Sequence, residues 1–206
     1  MILYLVRHGE SLANKKLFHH RPETPLSKRG VEQAKIVAGR LKNIEVDFIY
    51  SSPQKRAKQT AEIISKQKNL PVEFWGDLKE IRVPSKVWGK PLDDKEAAKI
   101  DEQSLQSFIT GERYSDEETF EELSARGQSV LDHLLKEHQD RKVLCISHGT
   151  MTKMIVARIL FENKLTPKVF VSLRKHLWAN NTGITICEYT EKYGWTLNTW
   201  NDSSHL

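Results

Sequence analysis

The sequence predicts an α/β fold, a single domain with a mainly parallel central sheet flanked by helices. Residues 2–6 and 143–146 are continuous apolar runs of strand length, which is typical of parallel strands covered on both faces. Segments with helical periodicity alternate with such runs along the chain, as α/β folds require. The 206 residues fit one domain over residues 1–206, with a partly helical insertion at residues 76–120 over one edge of the sheet.

The polar residues 14–25 predict a long loop, and a helix is expected after it over residues 28–41. Ser27 is the expected N-cap of that helix, because a serine hydroxyl accepts a hydrogen bond from the first turn. The buried face should carry apolar side chains at helical spacing. These are Val31, Ala34, Val37, Ala38 and Leu41.

Residues 48–50 predict a second short strand that leads directly into another helix. Ser52 is expected to cap this helix, with Pro53 at its first position, where the missing N–H is not needed. Residues 71–75 predict a third strand after the helix. The expected buried face of the helix consists of Ala57, Thr60, Ala61 and Ile64.

The insertion is expected to begin irregularly, because proline and glycine interrupt residues 76–92. A modest helix is predicted over residues 93–108, followed by a longer one with Ser115 as its cap. The acidic run 116–122 is expected to be a solvated helix face whose charges suit the positive N-terminal end. The buried face of the longer helix should contain Phe120, Leu123, Leu131, Leu134 and Leu135.

The last third of the chain predicts the central strand and three further elements. The strand at residues 143–146 is followed by a helix over about residues 150–161. Residues 183–189 and 195–200 then predict a pair of strands that turns at Gly194.

Composition and charge exclude several broad classes of function. The net charge of +5 is mild and no basic run alternates with aromatic residues, which argues against a nucleic-acid partner. No apolar run reaches the length of a membrane span and no basic leader precedes the first strand. We therefore expect a cytoplasmic protein without a membrane partner. Cys145 and Cys187 lie in apolar strands, so buried reduced thiols are expected, with a disulfide as the alternative.

Three predicted strands are followed by residues that can bind an anion. Arg7 and His8 follow the first strand, Arg56 lies in the helix after the second, and His148 follows the central strand. Parallel strands deliver their carboxyl ends to one edge of a sheet, which predicts that these side chains share a pocket. The helix N-terminus near Arg56 adds backbone N–H groups. The sequence therefore predicts a site for a dianion such as a phosphate monoester.

The same residue types can support transfer of a phosphoryl group without a metal ion. An imidazole nitrogen aimed at phosphorus can form a phosphohistidine, while guanidinium groups stabilise charge on the phosphoryl oxygens. A carboxylic acid must protonate the departing alcohol, and Glu80 is the candidate, ahead of Glu73, Asp77 and Glu96. A metal site built from the two histidines and a carboxylate is the alternative, but no HExxH or paired CxxC spacing supports it.

Five ordered groups of motifs span almost the whole chain and together resemble one known family. They are Arg7-His8-Gly9-Glu10-Ser11 with Asn14; Thr24-Pro25-Leu26-Ser27 with Gly30 and Gln33-Ala34; Ser51-Ser52-Pro53 with Arg56-Ala57 and Gln59-Thr60-Ala61; Leu78 with Glu80; and Ser147-His148-Gly149, followed by Asn181-Thr182. In this order they resemble the histidine phosphatase superfamily, specifically its phosphoglycerate mutase-like branch. The fold of that family, a mainly parallel sheet flanked by helices, agrees with the fold predicted above.

The resemblance implies a role for each site residue. His8 is the implied nucleophile, and Glu80 is the implied acid and later the base that activates water. His148 belongs to the same catalytic set. The implied ligands of the phosphoryl group are Arg7, Arg56, His148 and Asn14. The resemblance further implies that Ser11 and Gly149 contact the substrate, a small phosphorylated metabolite, and that no cofactor is needed.

Three departures from the family pattern concern the substrate more than the catalytic centre. Trp88-Gly89 lacks the intervening glutamate that the family often has. Gly183 replaces a common serine after the Asn-Thr pair. The loop at residues 16–22 lacks the usual tryptophan and contains His19-His20, which we expect to be a solvated pair, with a substrate contact as the alternative.

Hydrolysis is expected rather than isomerisation. The glycolytic mutases carry Arg-His-Tyr after the proton donor, whereas Ile81-Arg82-Val83 follows Glu80 here. A mutase also needs a lid that keeps water from the phosphohistidine, and residues 201–206 make a short tail. A cofactor-dependent phosphoglycerate mutase and a phosphate-ester-binding module without turnover are the alternatives. The oligomeric state stays open, since Trp178 and Trp200 fit either a homodimer interface or the core.

Overall fold

Six β-strands form one sheet in the computed structural model, which describes residues Met1–Leu206. Three short 3-10 turns lie outside the longer elements. The strands are β1 (Ile2–Arg7), β2 (Phe48–Ser51), β3 (Val72–Phe74), β4 (Lys142–Ser147), β5 (Ile184–Thr190) and β6 (Gly194–Asp202). The helices are α1 (Leu12–Lys16), α2 (Lys28–Leu41), α3 (Lys55–Lys68), α4 (Lys95–Thr110), α5 (Phe120–His138), α6 (Gly149–Phe161) and α7 (Pro167–His176).

The strand order in the sheet is β3-β2-β4-β1-β5-β6. The pairs β3-β2, β2-β4 and β4-β1 are parallel, whereas β1-β5 and β5-β6 are antiparallel. This arrangement confirms the predicted α/β fold with a mainly parallel sheet. In its register Arg7 lies beside Ser147 and Ser51 lies beside Ile146, so three strands end at the same edge.

Alternate side chains of the strands supply two hydrophobic layers, one on each face of the sheet. Leu3 and Leu5 of β1 pack with the helices α5, α6 and α7, while Tyr4 and Val6 pack with α2 and α3. Leu3, Leu5 and Val6 are fully buried. Burial of one such side chain stabilises the fold by roughly 1.5–3 kcal/mol, so these layers fix the strand whose end carries His8.

Most predicted elements are confirmed close to their expected bounds. Ser27 caps α2, since its hydroxyl oxygen accepts a hydrogen bond from the Gly30 N–H at 3.0 Å. The predicted buried face of α3 is confirmed, as are the final hairpin and the helix α6. In the insertion, α4 is capped by Asp94 and ends at Gly111, whose φ of 80° suits a glycine.

Two predictions close to the site are wrong in local detail. Ser52 does not cap α3, because that helix begins only at Lys55. The Ser52 hydroxyl instead accepts from the Gln54 N–H and contacts His148, a buried partner that local capping rules do not consider. The predicted long loop at residues 14–25 also overlaps the short helix α1, which Ser11 caps through a hydrogen bond from the Asn14 N–H.

The prediction for the acidic run 116–122 is confirmed for Glu121 and Glu122, which are exposed in the first turn of α5, and wrong for residues 116–118. Thr119 rather than Ser115 caps α5, through a capping box with Glu122, so residues 116–118 precede the helix. Glu117 and Glu118 are only 1% and 6% exposed and do not form a solvated face. They are buried because each carboxylate has several hydrogen-bond donors from neighbouring segments.

The helix α7 is absent from the sequence-based prediction. Thr166 caps it and Pro167 occupies its first turn, so the start signal is present in the sequence. Trp178 follows this helix and is 75% exposed, which excludes it from the core. Trp200 is half-buried and its indole N–H donates to the Trp178 carbonyl.

The two cysteines are buried and unpaired. Cys145 lies on β4 and Cys187 on β5, with β1 between these strands. The expected reduced thiols are confirmed, and the alternative disulfide is wrong. None of the helices has both the length and the apolar character needed to cross a bilayer.

Candidate active site

His8 lies directly after β1 and is almost completely buried. Its backbone N–H donates to the Ser147 carbonyl at 3.0 Å, and its carbonyl accepts from the Asn181 side-chain amide at 2.9 Å. On the ring, Nδ1 is 2.7 Å from the Gly9 carbonyl oxygen. Because a carbonyl oxygen only accepts hydrogen bonds, Nδ1 carries the ring proton. The opposite nitrogen, Nε2, therefore holds the lone pair that a nucleophile needs.

His148 follows the neighbouring strand β4 and is fully buried. The ring centroids of His8 and His148 are 5.0 Å apart, in an edge-on arrangement. The Nε2 of His148 is 2.8 Å from the Ser52 hydroxyl, which comes from the end of β2. Its Nδ1 is buried without a hydrogen-bond partner. The predicted meeting of two histidines from distant parts of the sequence is confirmed.

Both imidazoles are neutral over the physiological pH range. Burial lowers the pKa of His8 well below its ordinary value, and the nearby guanidiniums of Arg56 and Arg7 lower it further. Burial and Arg56 likewise lower the pKa of His148 far below its ordinary value. A neutral His8 retains the lone pair on Nε2, which protonation would remove.

Arg56 lies in the first turn of α3 and is 1% exposed. Its Nε donates to His8 Nε2 at 3.1 Å, and its terminal nitrogens donate to the Arg21 carbonyl and to Gln54 Oε1. Burial lowers the pKa of Arg56 to about 10, against the opposing influence of Glu80. The guanidinium is still cationic at neutral pH, so it can stabilise an anion beside His8.

Arg7 supplies a second buried guanidinium at the end of β1. One terminal nitrogen donates to the Ala179 carbonyl at 2.6 Å, while its Nε is buried without a partner. Gly149 begins α6 next to this side chain, and a Cβ at Gly149 would lie 3.6 Å from the Arg7 Nε. Contact of this N–H with a phosphoryl oxygen stays a prediction.

Glu80 places its carboxylate at the N-terminus of α6. Its Oε1 accepts from the backbone N–H groups of Thr150 and Met151 at 3.1 and 3.2 Å, and Ile81 donates to the same atom. A helix N-terminus favours negative charge at this point. Glu80 also lines the cavity described below, together with Arg56. These donors suit the carboxylate form, which would act as the base, whereas the role of Glu80 as the acid stays a prediction.

The other carboxylates considered in the sequence analysis are engaged elsewhere or exposed. Asp77 accepts a hydrogen bond from the Ser129 hydroxyl on α5 at 2.8 Å, although it lines the same cavity. Glu96 pairs with Lys90, and Glu73 is exposed on β3. Only Glu80 among these four groups is fixed between the sheet edge and the cavity.

Ser11 and Asn14 form one hydrogen-bonded unit at the start of α1. Asn14 Oδ1 accepts from the Ser11 backbone N–H at 3.1 Å and from its hydroxyl at 3.0 Å. Asn14 lines the cavity, whereas Ser11 is fully buried behind it. Direct contact of these two residues with a substrate stays a prediction, as does that of Gly149.

His19 and His20 do not form the expected solvated pair. The His19 side chain is only 10% exposed and lies 3.5 Å from Asp101 of α4. The His20 ring centroid lies 6.2 Å from that of His8, and its Nε2 is 2.7 Å from the Ser11 hydroxyl. The expectation is wrong because the loop folds back against the insertion, which places His19 beside α4 and His20 at the cavity.

A cavity of about 760 Å³ lies beside the two buried histidines; Asn14, His20, Arg56 and Glu80 line it, whereas Arg7, His8 and His148 do not. The insertion supplies one wall, as predicted, through residues such as Glu80, Arg82 and Trp88. Arg174 of α7 also lines the cavity, and its guanidinium lies over the Phe108 ring; this residue was not predicted, since α7 itself was not. The cationic side chains that line the cavity are Arg21, Arg56, Lys79, Arg82, Arg126 and Arg174. This lining suits a small anionic ligand.

The unusual Gly183 has a local structural reason. A Cβ at this position would lie 2.0 Å from Asn201 Oδ1, too close for any side chain without rearrangement. That oxygen accepts a hydrogen bond from the Asn180 backbone N–H at 2.7 Å. The Asn201 amide thus occupies the space that a serine side chain would need.

A family model described as histidine phosphatase superfamily, branch 1, matches residues 3–203. The chain belongs to the histidine phosphatase superfamily. A probable phosphoglycerate mutase, GpmB, from Yersinia pestis (strain Pestoides F) is 27% identical over 212 residues, which cover 99% of this chain and 94% of that protein.

Solved structures of similar length have the same fold as this chain. A phosphoserine phosphatase from Entamoeba histolytica, in complex with 3-phosphoglyceric acid, is 26% identical, with a TM-score of 0.78 and coverage of 100% of this chain and 98% of that one. YhfR from Bacillus stearothermophilus has a TM-score of 0.82 at 24% identity, covering 99% and 98%. One of these proteins is named as a probable mutase and another as a phosphatase, so the comparisons do not decide the reaction or the substrate of this chain.

Proposed function

We propose that this protein is a metal-independent phosphatase that hydrolyses small phosphomonoesters through a phosphohistidine on His8. The observation that carries the proposal is the placement of His8 Nε2, a lone-pair nitrogen 3.1 Å from the Arg56 guanidinium and beside a second neutral imidazole. The cationic cavity beside it supports an anionic substrate. Two buried, unpaired thiols are consistent with action in the cytoplasm.

The first half-reaction transfers the phosphoryl group to the protein. The His8 Nε2 lone pair forms the P–N bond while the P–O bond to the alcohol breaks. Arg56 and Arg7 donate hydrogen bonds to the phosphoryl oxygens and stabilise their charge. Glu80, in its protonated form, gives its proton to the departing alkoxide, so an alcohol leaves and Glu80 becomes a carboxylate.

The second half-reaction returns His8 to its starting state. The Glu80 carboxylate removes a proton from a water molecule as that water attacks phosphorus and the P–N bond breaks. Inorganic phosphate is released, His8 regains its lone pair and Glu80 regains its proton. All atoms and charges balance without a metal ion or a further co-reactant.

Turnover of para-nitrophenyl phosphate tests the proposal. We expect hydrolysis that persists in excess chelator and is lost in His8→Ala, because that change removes the nucleophile. Denatured wild-type protein trapped during turnover should carry one acid-labile phosphoryl group. The matched control for the variant is His176→Ala, on the exposed end of α7. Undiminished turnover in His8→Ala, or activity that disappears with chelator, would contradict the mechanism.

A phosphoglycerate mutase is the second candidate, favoured by the similarity to the probable phosphoglycerate mutase of Yersinia pestis. The measurement that separates the two is the rate of interconversion of 2- and 3-phosphoglycerate, primed by the bisphosphate, against the rate of phosphate release from either. Faster isomerisation would favour the mutase. Binding of phosphate esters without either reaction would favour a module without turnover.

A further inference from the structure

His20 lies on a loop that is fixed against the insertion. Its neighbour His19 exchanges backbone hydrogen bonds with Gly89 and Lys90, at 3.0 and 2.9 Å, and the Leu92 N–H donates to the Leu17 carbonyl at 2.8 Å. The two loop histidines then point in different directions. His19 faces Asp101, whereas His20 faces the phosphoryl site, with its ring edge-on to His8.

Only one ring nitrogen of His20 is available to a ligand. Its Nε2 is held 2.7 Å from the Ser11 hydroxyl, while Nδ1 has no partner within the protein and the ring lines the cavity. Burial, Arg56 and Arg7 lower the pKa of His20 to about 3. The imidazole is therefore neutral, with a single N–H and a single lone pair to distribute between its two nitrogens.

The Ser11 hydroxyl decides which nitrogen carries that proton. Its oxygen accepts from the Asn14 N–H at 3.0 Å, and its own proton can point to Asn14 Oδ1 or to His20 Nε2. Asn14 Oδ1 still accepts from the Ser11 backbone N–H when the hydroxyl turns to His20. This rotation leaves every group satisfied and places the His20 proton on Nδ1, toward the cavity.

We propose that His20 is a third imidazole ligand of the phosphoryl group, donating its Nδ1–H to a phosphoryl oxygen, with Ser11 as the positioning residue. An anion in the site selects this tautomer, because the other one would aim a lone pair at negative charge. The inference rests on the proposed function only in taking a phosphomonoester as the ligand. It also assigns Ser11 an indirect role, consistent with its complete burial.

Two substitutions separate the two ring nitrogens. His20→Asn keeps an amide nitrogen near the position of Nδ1 and loses the contact to Ser11. His20→Gln reaches the position of Nε2 and keeps that contact, but loses the donor toward the cavity. His176→Gln, on an exposed residue, controls for the chemical change itself. Thermal unfolding and circular dichroism establish that each variant is folded.

The dissociation constant of inorganic phosphate, measured by calorimetry, is the primary readout. We expect His20→Gln to weaken phosphate binding about 10-fold, as expected for one lost hydrogen bond to a charged group, and His20→Asn to stay within about 3-fold of the wild type. In wild-type protein labelled with ¹⁵N-histidine, phosphate should shift His20 to the tautomer protonated on Nδ1. If His20 had only a structural role, the two variants would not differ in phosphate affinity, and phosphate would not change the tautomer of His20.

The outcomes separate this inference from the proposed function. Equal phosphate affinity in the wild type and His20→Gln, equal losses in both His20 variants, or no phosphate binding by the wild type would each overturn the inference. Absence of phosphatase turnover with the expected affinity contrast would overturn the proposed function and leave the His20 assignment in place. Phosphatase turnover without a difference in phosphate affinity between the two variants would overturn the His20 assignment and leave the proposed function in place.

Discussion

At the residue scale, the surroundings of His8 determine its protonation more than its own chemistry does. Burial and Arg56 lower its pKa, and the Gly9 carbonyl fixes the remaining proton on Nδ1. Arg56 itself, with a pKa of about 10, keeps its charge. A neutral nucleophile and a cationic stabiliser therefore exist side by side at neutral pH and do not compete for one proton.

The role of Glu80 leads to a prediction that depends on the leaving group. Glu80→Gln should lower kcat/KM for an alkyl phosphate by about 100-fold or more, because an alkoxide needs a proton to depart. The loss should be much smaller for para-nitrophenyl phosphate, whose phenolate leaves without help. The comparison of kcat/KM for the two substrates isolates the first half-reaction, since it reports steps up to the first irreversible one.

Asp77→Asn is the matched control for Glu80→Gln. Asp77 lines the same cavity, but its carboxylate is bound to the Ser129 hydroxyl of α5. We expect nearly equal effects of this change on both substrates. If Glu80→Gln also lowered kcat/KM equally for both leaving groups, Glu80 would not be the proton donor.

At the element scale, an ion pair holds the segment before Glu80 against α5. Arg126 donates to both carboxylate oxygens of Glu118, at 2.6 and 2.7 Å, and Glu118 is almost fully buried. The same guanidinium donates to the carbonyls of Asp77 and Lys79 at 2.8 and 2.9 Å. The position of Glu80 thus depends on an interaction between the insertion and a helix of the main fold.

Removing one partner of this pair should be costly. Arg126→Met leaves two carbonyls without this donor and the buried Glu118 carboxylate with only the Arg82 backbone N–H, and we expect a loss of about 3 kcal/mol in the free energy of unfolding. Urea denaturation measures this loss. The double variant Arg126→Met with Glu118→Leu should recover part of it, because no unpaired charge remains. A double variant less stable than the single one would contradict this explanation.

Local sequence patterns predicted most elements, and they were wrong where tertiary partners decide the outcome. The Ser27 hydroxyl donates to the Glu10 carboxylate while its oxygen still accepts from the Gly30 N–H, so its distant partner is compatible with the cap and the prediction is confirmed. Ser52 follows the same local pattern, yet its hydroxyl pairs with His148 of a distant segment. Glu117 likewise belongs to an acidic run that looks solvated, but Ser107 and the Tyr114 N–H bind its carboxylate in the interior.

The site was predictable where strand ends specify position. His8 and His148 each follow a buried strand, and parallel pairing of β1 with β4 brings them together. His20 and Arg174 were not predictable in this way. One lies on a loop whose path depends on contacts with the insertion, and the other lies on a helix that the periodicity analysis did not include.

At the scale of the whole molecule, the fold stabilises imidazoles in the neutral form, among them the two buried rings of His8 and His148. His8 comes from the first strand and His148 from the fourth, and both are buried at the same sheet edge. In the unfolded chain each histidine regains an ordinary pKa near 6.5. Acid therefore delivers protons to the unfolded state that the folded state does not bind, and stability must fall as the pH falls.

This linkage predicts the size of the pH effect. Between pH 7.5 and 5.5, each histidine that stays neutral in the fold should account for a loss of about 1.4 kcal/mol in the free energy of unfolding, or roughly 3 kcal/mol for His8 and His148 together. Urea denaturation at both pH values measures it. His8→Gln and His148→Gln should each reduce this pH-dependent loss by about 1.4 kcal/mol. His176→Gln, on an exposed residue, should leave the loss as large as in the wild type. An unchanged difference in both buried variants would mean that these imidazoles are protonated in the folded protein.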